Sequence, residues 1–352
     1  MKSWSRLFLV FAALTLCGAL FEPAAAQQSS VVGLVINEDG DSIAVIDPET
    51  GRVTGSADVS AALSKPHLAA YDPTTQRLYV GSKGAKLAVF DLADPTAPKL
   101  IASVKPGGDG EIHWVVLAGG MVWLAHQGDS AVYAYDPADL SAPAVVLGKE
   151  LGFDTTHGLA LRPGSDELWA TNRPEKAPGF VLRINVRTRE VIGEPLQTTG
   201  QPGDRPNNTA FTPDGLRAYV VNTGSKATQV TVIDPETFTV VSQIDQDQEQ
   251  GLAPHAIAFD PATQRMFVAN KDAGTLSAID VATDTVVGYV QVGEEPHGVA
   301  VGPDGLVYVT AKHANKVAVV DPVNLTIVRE IADPALVGPH QILFIPETIP
   351  KR

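Results

Sequence analysis

The segment PHLAAYDP (66–73) decides the fold, because close variants of it recur along the chain. Most copies carry histidine at the second position, followed by alternating apolar residues and a proline that ends the strand. The other copies are IHWVVLAG (112–119), THGLALRP (156–163), PNNTAFTP (206–213), PHAIAFDP (254–261), PHGVAVGP (296–303) and PHQILFIP (339–346). Seven copies spaced 42 to 50 residues apart are typical of four-stranded propeller blades.

Two further repeated strands support this register. One ends in a small polar residue or histidine, at Asn37, Ser82, His126, Asn172, Asn222 and Asn270, with VYVTA (307–311) as the seventh copy. The other runs into a turn that begins with Asp47, Asp91, Asp136, Asn185, Asp234, Asp280 or Asp321. Asp and Asn at such positions accept hydrogen bonds from backbone N–H groups two residues later, so we interpret these seven residues as structural.

The two chain ends are predicted to share one blade. The first copy, near residues 32–58, lacks an inner strand, whereas the last inner strand, 341–345, has nothing after it. Pairing the two closes the ring and removes the open sheet edge. The sequence therefore predicts an all-β, seven-bladed β-propeller of antiparallel blades over residues 32–347, preceded by a short segment (27–31) and followed by a tail (348–352).

The strand motifs WATN, YVVN, FVAN and YVTA resemble those of the YVTN or YncE-like, surface-layer-type propeller repeats. This resemblance covers nearly all of the chain after residue 26. It implies a seven-bladed propeller in an exported bacterial protein. Because the family is functionally mixed, the function has to be argued from the site.

The N-terminus has the pattern of a signal peptide over residues 1–26. Lys2 and Arg6 precede an apolar run, and Ala24-Ala25-Ala26 forms a small-residue cleavage site. We therefore expect a soluble periplasmic or secreted protein with no membrane insertion. Its only cysteine, Cys17, lies in the removed segment, which excludes disulfides and thiolate metal sites. The net charge of −14 argues against binding nucleic acid and favours a monomer.

The repeat predicts a ring of imidazoles at one mouth of the central channel. Six of the eight histidines share one blade position, and asparagine takes the seventh: His67, His113, His157, Asn207, His255, His297 and His340. Neutral imidazole binds transition metals, and protonated imidazole binds carboxylates. Carboxylates in the adjoining connections are Glu111, Asp154, Asp204, Glu294 and Glu295, and His126 and His313 lie on the same face.

These residues leave several functions open. We expect a binding protein that holds a small ligand, a divalent or transition metal ion, or an envelope protein at the His-lined mouth. The alternatives are a metal-dependent oxidoreductase or lyase using the same ring, and an envelope scaffold without a small-molecule site. A purely structural ring, inherited from an ancestral blade, is the competing interpretation. Four consecutive blades supply the candidate metal ligands His255, His297, His340 and His67, and the nearby basic residues Lys83, Arg173, Lys271 and Lys312 suit an anion or a solvated surface.

Overall fold

The computed structural model describes residues 31–203, 205–224 and 229–346, and the predicted signal peptide lies outside them. The described chain forms seven four-stranded antiparallel sheets, which confirms the predicted seven-bladed propeller. A short 3-10 helix, Lys149–Leu151, follows the third blade. None of the described segments is a helix with the length and apolar character needed to traverse a lipid bilayer.

Each blade has four strands, counted from the channel outward. The innermost strands are β28 (Pro339–Pro346), β4 (Pro66–Asp72), β8 (Ile112–Ala118), β12 (Thr156–Leu161), β16 (Pro206–Phe211), β20 (Pro254–Asp260) and β24 (Pro296–Val301). The second strands are β1 (Val31–Asn37), β5 (Arg77–Ser82), β9 (Met121–His126), β13 (Glu167–Asn172), β17 (Ala218–Asn222), β21 (Arg265–Asn270) and β25 (Val307–Ala311). The third strands are β2 (Ser42–Asp47), β6 (Leu87–Asp91), β10 (Ala131–Tyr135), β14 (Pro178–Asn185), β18 (Gln229–Asp234), β22 (Thr275–Asp280) and β26 (Lys316–Asp321). The outermost strands are β3 (Arg52–Asp58), β7 (Lys99–Val104), β11 (Val145–Leu147), β15 (Glu190–Pro202), β19 (Thr239–Asp245), β23 (Thr285–Gln291) and β27 (Thr326–Ala332).

The last strand of the chain closes the ring by joining the first blade. β28 pairs antiparallel with β1, from Val31 opposite Pro346 to Asn37 opposite Pro339. The sheet order β28-β1-β2-β3 confirms that the two chain ends share a blade. This pairing covers the edge of β1 that would otherwise be open.

The core lies between neighbouring blades. The middle strands bury large side chains there, and Trp123 and Trp169 are fully buried. The outer strands alternate exposed and half-buried residues, as in β3 and β27. All seven Asp or Asn turn residues accept a hydrogen bond from the N–H two residues later, at 2.8–2.9 Å. The structural interpretation of these turns is confirmed.

A β-bulge at the start of each inner strand positions the predicted ring residue. In the second blade Pro66 pairs with Ser82 and Ala69 with Val80, so His67 and Leu68 lie opposite a single residue. The register shifts at the same place in every other blade. A bulge breaks the strict alternation of a strand and redirects one side chain. It therefore turns the ring residue toward the channel mouth.

Candidate functional site at the channel mouth

The six predicted histidines come together in one ring, which we call the histidine ring and which includes Asn207. Neighbouring imidazole centroids lie 3.8–4.7 Å apart from His255 through His297, His340, His67 and His113 to His157. The gap from His157 to His255 is 6.3 Å, and the Asn207 position falls between these two. Most ring residues are buried, and His255 is the half-buried member among the histidines.

A second layer of side chains follows the second strand of each blade, and we call it the outer ring. Its members are Glu38, Lys83, Gln127, Arg173, Thr223, Lys271 and Lys312. In all seven blades the backbone N–H of the outer-ring residue donates to the carbonyl two positions before the histidine-ring residue, at 2.7–3.0 Å. This repeated bond fixes each outer-ring residue next to the histidine ring.

One part of the histidine ring is bonded to backbone. His157 Nδ1 lies 3.2 Å from the Asn207 carbonyl oxygen, and the Asn207 amide donates to the His255 carbonyl at 2.8 Å. His255 Nδ1 in turn lies 3.4 Å from the His297 carbonyl oxygen. His297 Nδ1 lies 3.0 Å from the carbonyl of Glu295, within its own connection. These contacts support the structural interpretation for this part of the ring, in which Asn207 makes the same kind of bond to the next blade as His157 and His255 do.

The other part of the ring faces carboxylates. His67 Nδ1 lies 2.9 Å from Glu38 Oε2, and His113 Nε2 lies 2.7 Å from Glu111 Oε2. His340 has no hydrogen bond at either ring nitrogen among the described residues, although its Nε2 is 3.7 Å from Glu38 Oε2. An unpartnered buried nitrogen is costly, so His340 is the ring member most in need of a ligand.

Glu38 is the centre of this carboxylate side, and it is 1% exposed. Its Oε1 lies 2.9 Å from Lys312 Nζ and 3.0 Å from Lys83 Nζ. Its Oε2 faces the two imidazoles of His67 and His340. The two ammonium groups thus hold one carboxylate oxygen and leave the other directed at the histidine ring.

Glu38 is a site residue that the sequence patterns alone did not single out. The signal for it lies in the residue that follows each second strand, which is basic at Lys83, Arg173, Lys271 and Lys312. Glu38 occupies that same position in the first blade with the opposite charge. Aligning the seven blades at this position reveals one carboxylate, Glu38, among mostly basic residues.

The ionisation of these groups follows from burial and from their neighbours. Burial lowers the pKa of His67, His157, His255 and His340 well below the usual value, and adjacent histidines and cations lower it further. Burial also lowers the pKa of His113, against the opposing effect of Glu111, and lowers that of His297 to about 4. The imidazoles are therefore neutral at pH 7. Burial alone would raise the pKa of Glu38, but His340, Lys312 and Lys83 hold it at about 2.

The remaining predicted residues lie farther out. Glu294 is exposed, and the Glu295 carboxylate points to Lys271 at 3.3 Å and to His313 at 2.6 Å. The buried His126 accepts the N–H of Asp129 at 3.2 Å, which gives it a structural role. Asp204 lies outside the described residues.

One group of side chains in the described ranges has the geometry to hold a metal ion: Glu38, His67 and His340, whose ligand atoms all lie within 4.8 Å of one another. Two of the four predicted ligands, His67 and His340, belong to this group, and His255 and His297 do not. A cavity of about 240 Å³ adjoins the histidine ring and is lined by five of its imidazoles and by apolar residues of the inner strands.

The fold and its repeats define a YncE-like seven-bladed β-propeller. The chain belongs to the choice-of-anchor I domain family, whose sequence model matches residues 67–332. It is 26% identical over 198 residues to the uncharacterised protein YncE of Salmonella typhimurium, a match covering 54% of this chain and 53% of that protein. The chain thus spans about half the length of the curated relatives it matches.

Solved structures share the fold at low sequence identity. A putative 6-phosphogluconolactonase of Bacteroides uniformis has a TM-score of 0.74 at 15% identity, covering 90% of this chain and 100% of that one. The periplasmic gluconolactonase PpgL of Pseudomonas aeruginosa has a TM-score of 0.73 at 19% identity, covering 91% and 100%. Apo AztD from Citrobacter koseri has a TM-score of 0.60 at 14% identity, covering 90% and 98%. At these identities the likeness concerns the fold alone.

Proposed function

We propose that this chain is an extracytoplasmic metal-binding propeller that holds one divalent transition metal ion through Glu38, His67 and His340. The observation that carries the proposal is the convergence of one carboxylate oxygen and two ring nitrogens within 4.8 Å. Glu38 Oε2 is 2.9 Å from His67 Nδ1 and 3.7 Å from His340 Nε2. Ligand atoms about 2.1 Å from a tetrahedral ion are about 3.4 Å from each other. Small side-chain shifts would therefore bring the three donor atoms to the spacing of metal ligands.

The donor chemistry favours zinc or a similar ion. Two imidazoles and one carboxylate form a set found at open zinc sites, where water or another ligand takes the fourth position. Metal binding requires neutral imidazole, and burial keeps His67 and His340 in that form. Lys83 and Lys312 orient the Glu38 carboxylate through its other oxygen, as partners behind a metal ligand commonly do. The signal-peptide pattern at residues 1–26 supports the extracytoplasmic location.

The test is a zinc titration of chelator-stripped protein, followed by calorimetry. We expect one equivalent to bind, and His340→Asn to weaken the affinity by about 100-fold or more, because it removes a direct ligand. The His340 imidazole makes no hydrogen bond among the described residues, so this change should leave the fold intact.

The matched control is His157→Asn, the same substitution at a ring position whose imidazole is bonded to backbone. It should leave zinc affinity within about twofold of the parent. Absence of stoichiometric zinc, or equal affinity in both variants, would contradict the proposal.

A further inference from the structure

Arg173 is a cation of the outer ring whose guanidinium contacts neutral groups alone among the described residues. It donates to Asn207 Oδ1 and to Gln127 Oε1, both at 3.1 Å, and its buried Nε has no acceptor. Lys83, Lys271 and Lys312 differ, because each is paired with a carboxylate. An arginine has five N–H donors in a rigid fork. Several donors of Arg173 therefore have no partner among the described residues.

A polar cavity of about 330 Å³ adjoins this guanidinium. Its lining residues are Gln127, Asp154, Thr155, Arg173, Glu175, Lys176 and Arg205. Arg205 is already paired with Glu175, at 3.3 Å. The remaining Lys176 and Asp154 carry opposite charges, so the lining residues retain one net positive charge, that of Arg173. The Glu111 carboxylate interacts electrostatically with Arg173 but does not line the cavity. The Gln127 amide and the Thr155 hydroxyl offer further hydrogen-bonding groups.

We propose that this cavity binds a small hydroxycarboxylate, with its carboxylate on Arg173 and its hydroxyl groups on the polar lining. A monoanion matches the single unbalanced charge. The planar fork of arginine fits a carboxylate, and a charge-assisted bond of this kind is stronger than the neutral contacts that Arg173 now makes. A phosphate dianion fits less well, because Asp154 and Glu175 would repel its second charge.

This anion site is separate from the proposed metal site. Arg173 bonds to Asn207, in the part of the ring tied to backbone, whereas Glu38 contacts His67 and His340. The two ligands would therefore occupy different parts of the same mouth. Binding of the carboxylate does not depend on the metal, so the two proposals succeed or fail independently.

The test is calorimetric titration of the full chain, stripped of metal by chelator, with L-threonate. The uncharged analogue L-threitol has the same carbon number and hydroxyl-bearing chain but lacks the carboxylate. We expect threonate to bind and threitol to bind at least about 10-fold more weakly, because the charge-assisted bonds are lost. Equal binding of the two, no threonate binding, or tighter binding of inorganic phosphate would overturn the proposal.

Two variants locate the site. Arg173→Gln should weaken threonate binding by about 10- to 100-fold, and Arg173→Lys should keep only part of it, because the charge remains but the planar fork is lost. Arg187→Gln is the matched control, since Arg187 lies in a turn on the opposite face, paired with Asp166.

Thermal melts establish which of these variants are folded. A folded Arg173→Gln protein that binds threonate like the parent would overturn the assignment to Arg173. If Arg173→Gln fails to fold, unchanged threonate affinity in a folded Arg173→Lys protein would overturn it instead, because a lysine cannot form the paired bonds of a guanidinium.

Discussion

Lowering the pH from about 7.5 to about 5.5 is expected to reduce the free energy of unfolding of the metal-free protein by on the order of 5–8 kcal/mol. Six ring histidines have a pKa below the ordinary value in the folded state, so they stay neutral there. In the unfolded chain they take up protons below pH ~6.5. The unfolded state then binds more protons, and stability falls as the pH falls.

The pH window follows from the same shifts. The contribution of the histidines is fully present above their unfolded pKa, and it decreases as the pH falls from ~6.5 toward the folded values, about 4 for His297. Below pH ~4.5 the lowered pKa of Glu38 adds a further loss, because the unfolded carboxyl is protonated first. Urea unfolding measured at several pH values provides the slope.

Asn207 supplies the control for this acid sensitivity. It shows that asparagine at a histidine-ring position keeps a hydrogen bond to the next blade, at 2.8 Å, without a titratable group. His157→Asn should therefore reduce the loss of stability between pH ~7.5 and ~5.5 by about 1 kcal/mol, and reduce the slope below pH ~6 by at most about 1.4 kcal/mol per pH unit, the equivalent of one proton. An unchanged slope in that variant would mean that the ring histidines do not cause the acid sensitivity.

The fold could be predicted from the sequence because the same strand and turn pattern occurs in seven copies. Proline, alternating apolar residues and an Asp turn each have a local physical cause, and their common spacing indicated the number of blades. The missing inner strand of the first copy also predicted the closure by β28. Such features depend on neighbours within one blade, and periodicity reveals them.

The sequence could not predict which ring histidines are bonded to backbone and which face carboxylates. At the level of sequence His157 and His340 are equivalent, yet the His157 imidazole is bonded to the Asn207 carbonyl and the His340 imidazole has no hydrogen bond among the described residues. What separates them is the outer ring, where one blade carries Glu38 and others carry lysine or arginine. That difference acts between blades distant in sequence, since Glu38 meets Lys312 and His340 only after closure of the ring.

Replacing Glu38 by glutamine is expected to lower the free energy of unfolding by about 3–5 kcal/mol, because it removes the shared partner of two ammonium groups. Lys312 is buried, and Asp39, at 3.6 Å, is its other carboxylate contact. Urea unfolding at pH 7 measures the effect. The matched control is Glu330→Gln, which breaks a more exposed pair with Lys316 and should cost about 1 kcal/mol or less. Equal stability of the two variants would contradict the role of Glu38.

A second substitution separates this structural role of Glu38 from its proposed role as a ligand. Adding Lys312→Met to Glu38→Gln removes one of the stranded charges and keeps the apolar stem, so much of the lost stability should return. Zinc affinity should remain low in the double variant, because the carboxylate oxygen that faces His67 and His340 is still missing. If zinc binding returned together with stability, Glu38 would support zinc binding only by stabilising the fold, and it would not be a ligand. A stable double variant that does not bind zinc would identify the carboxylate as a direct ligand.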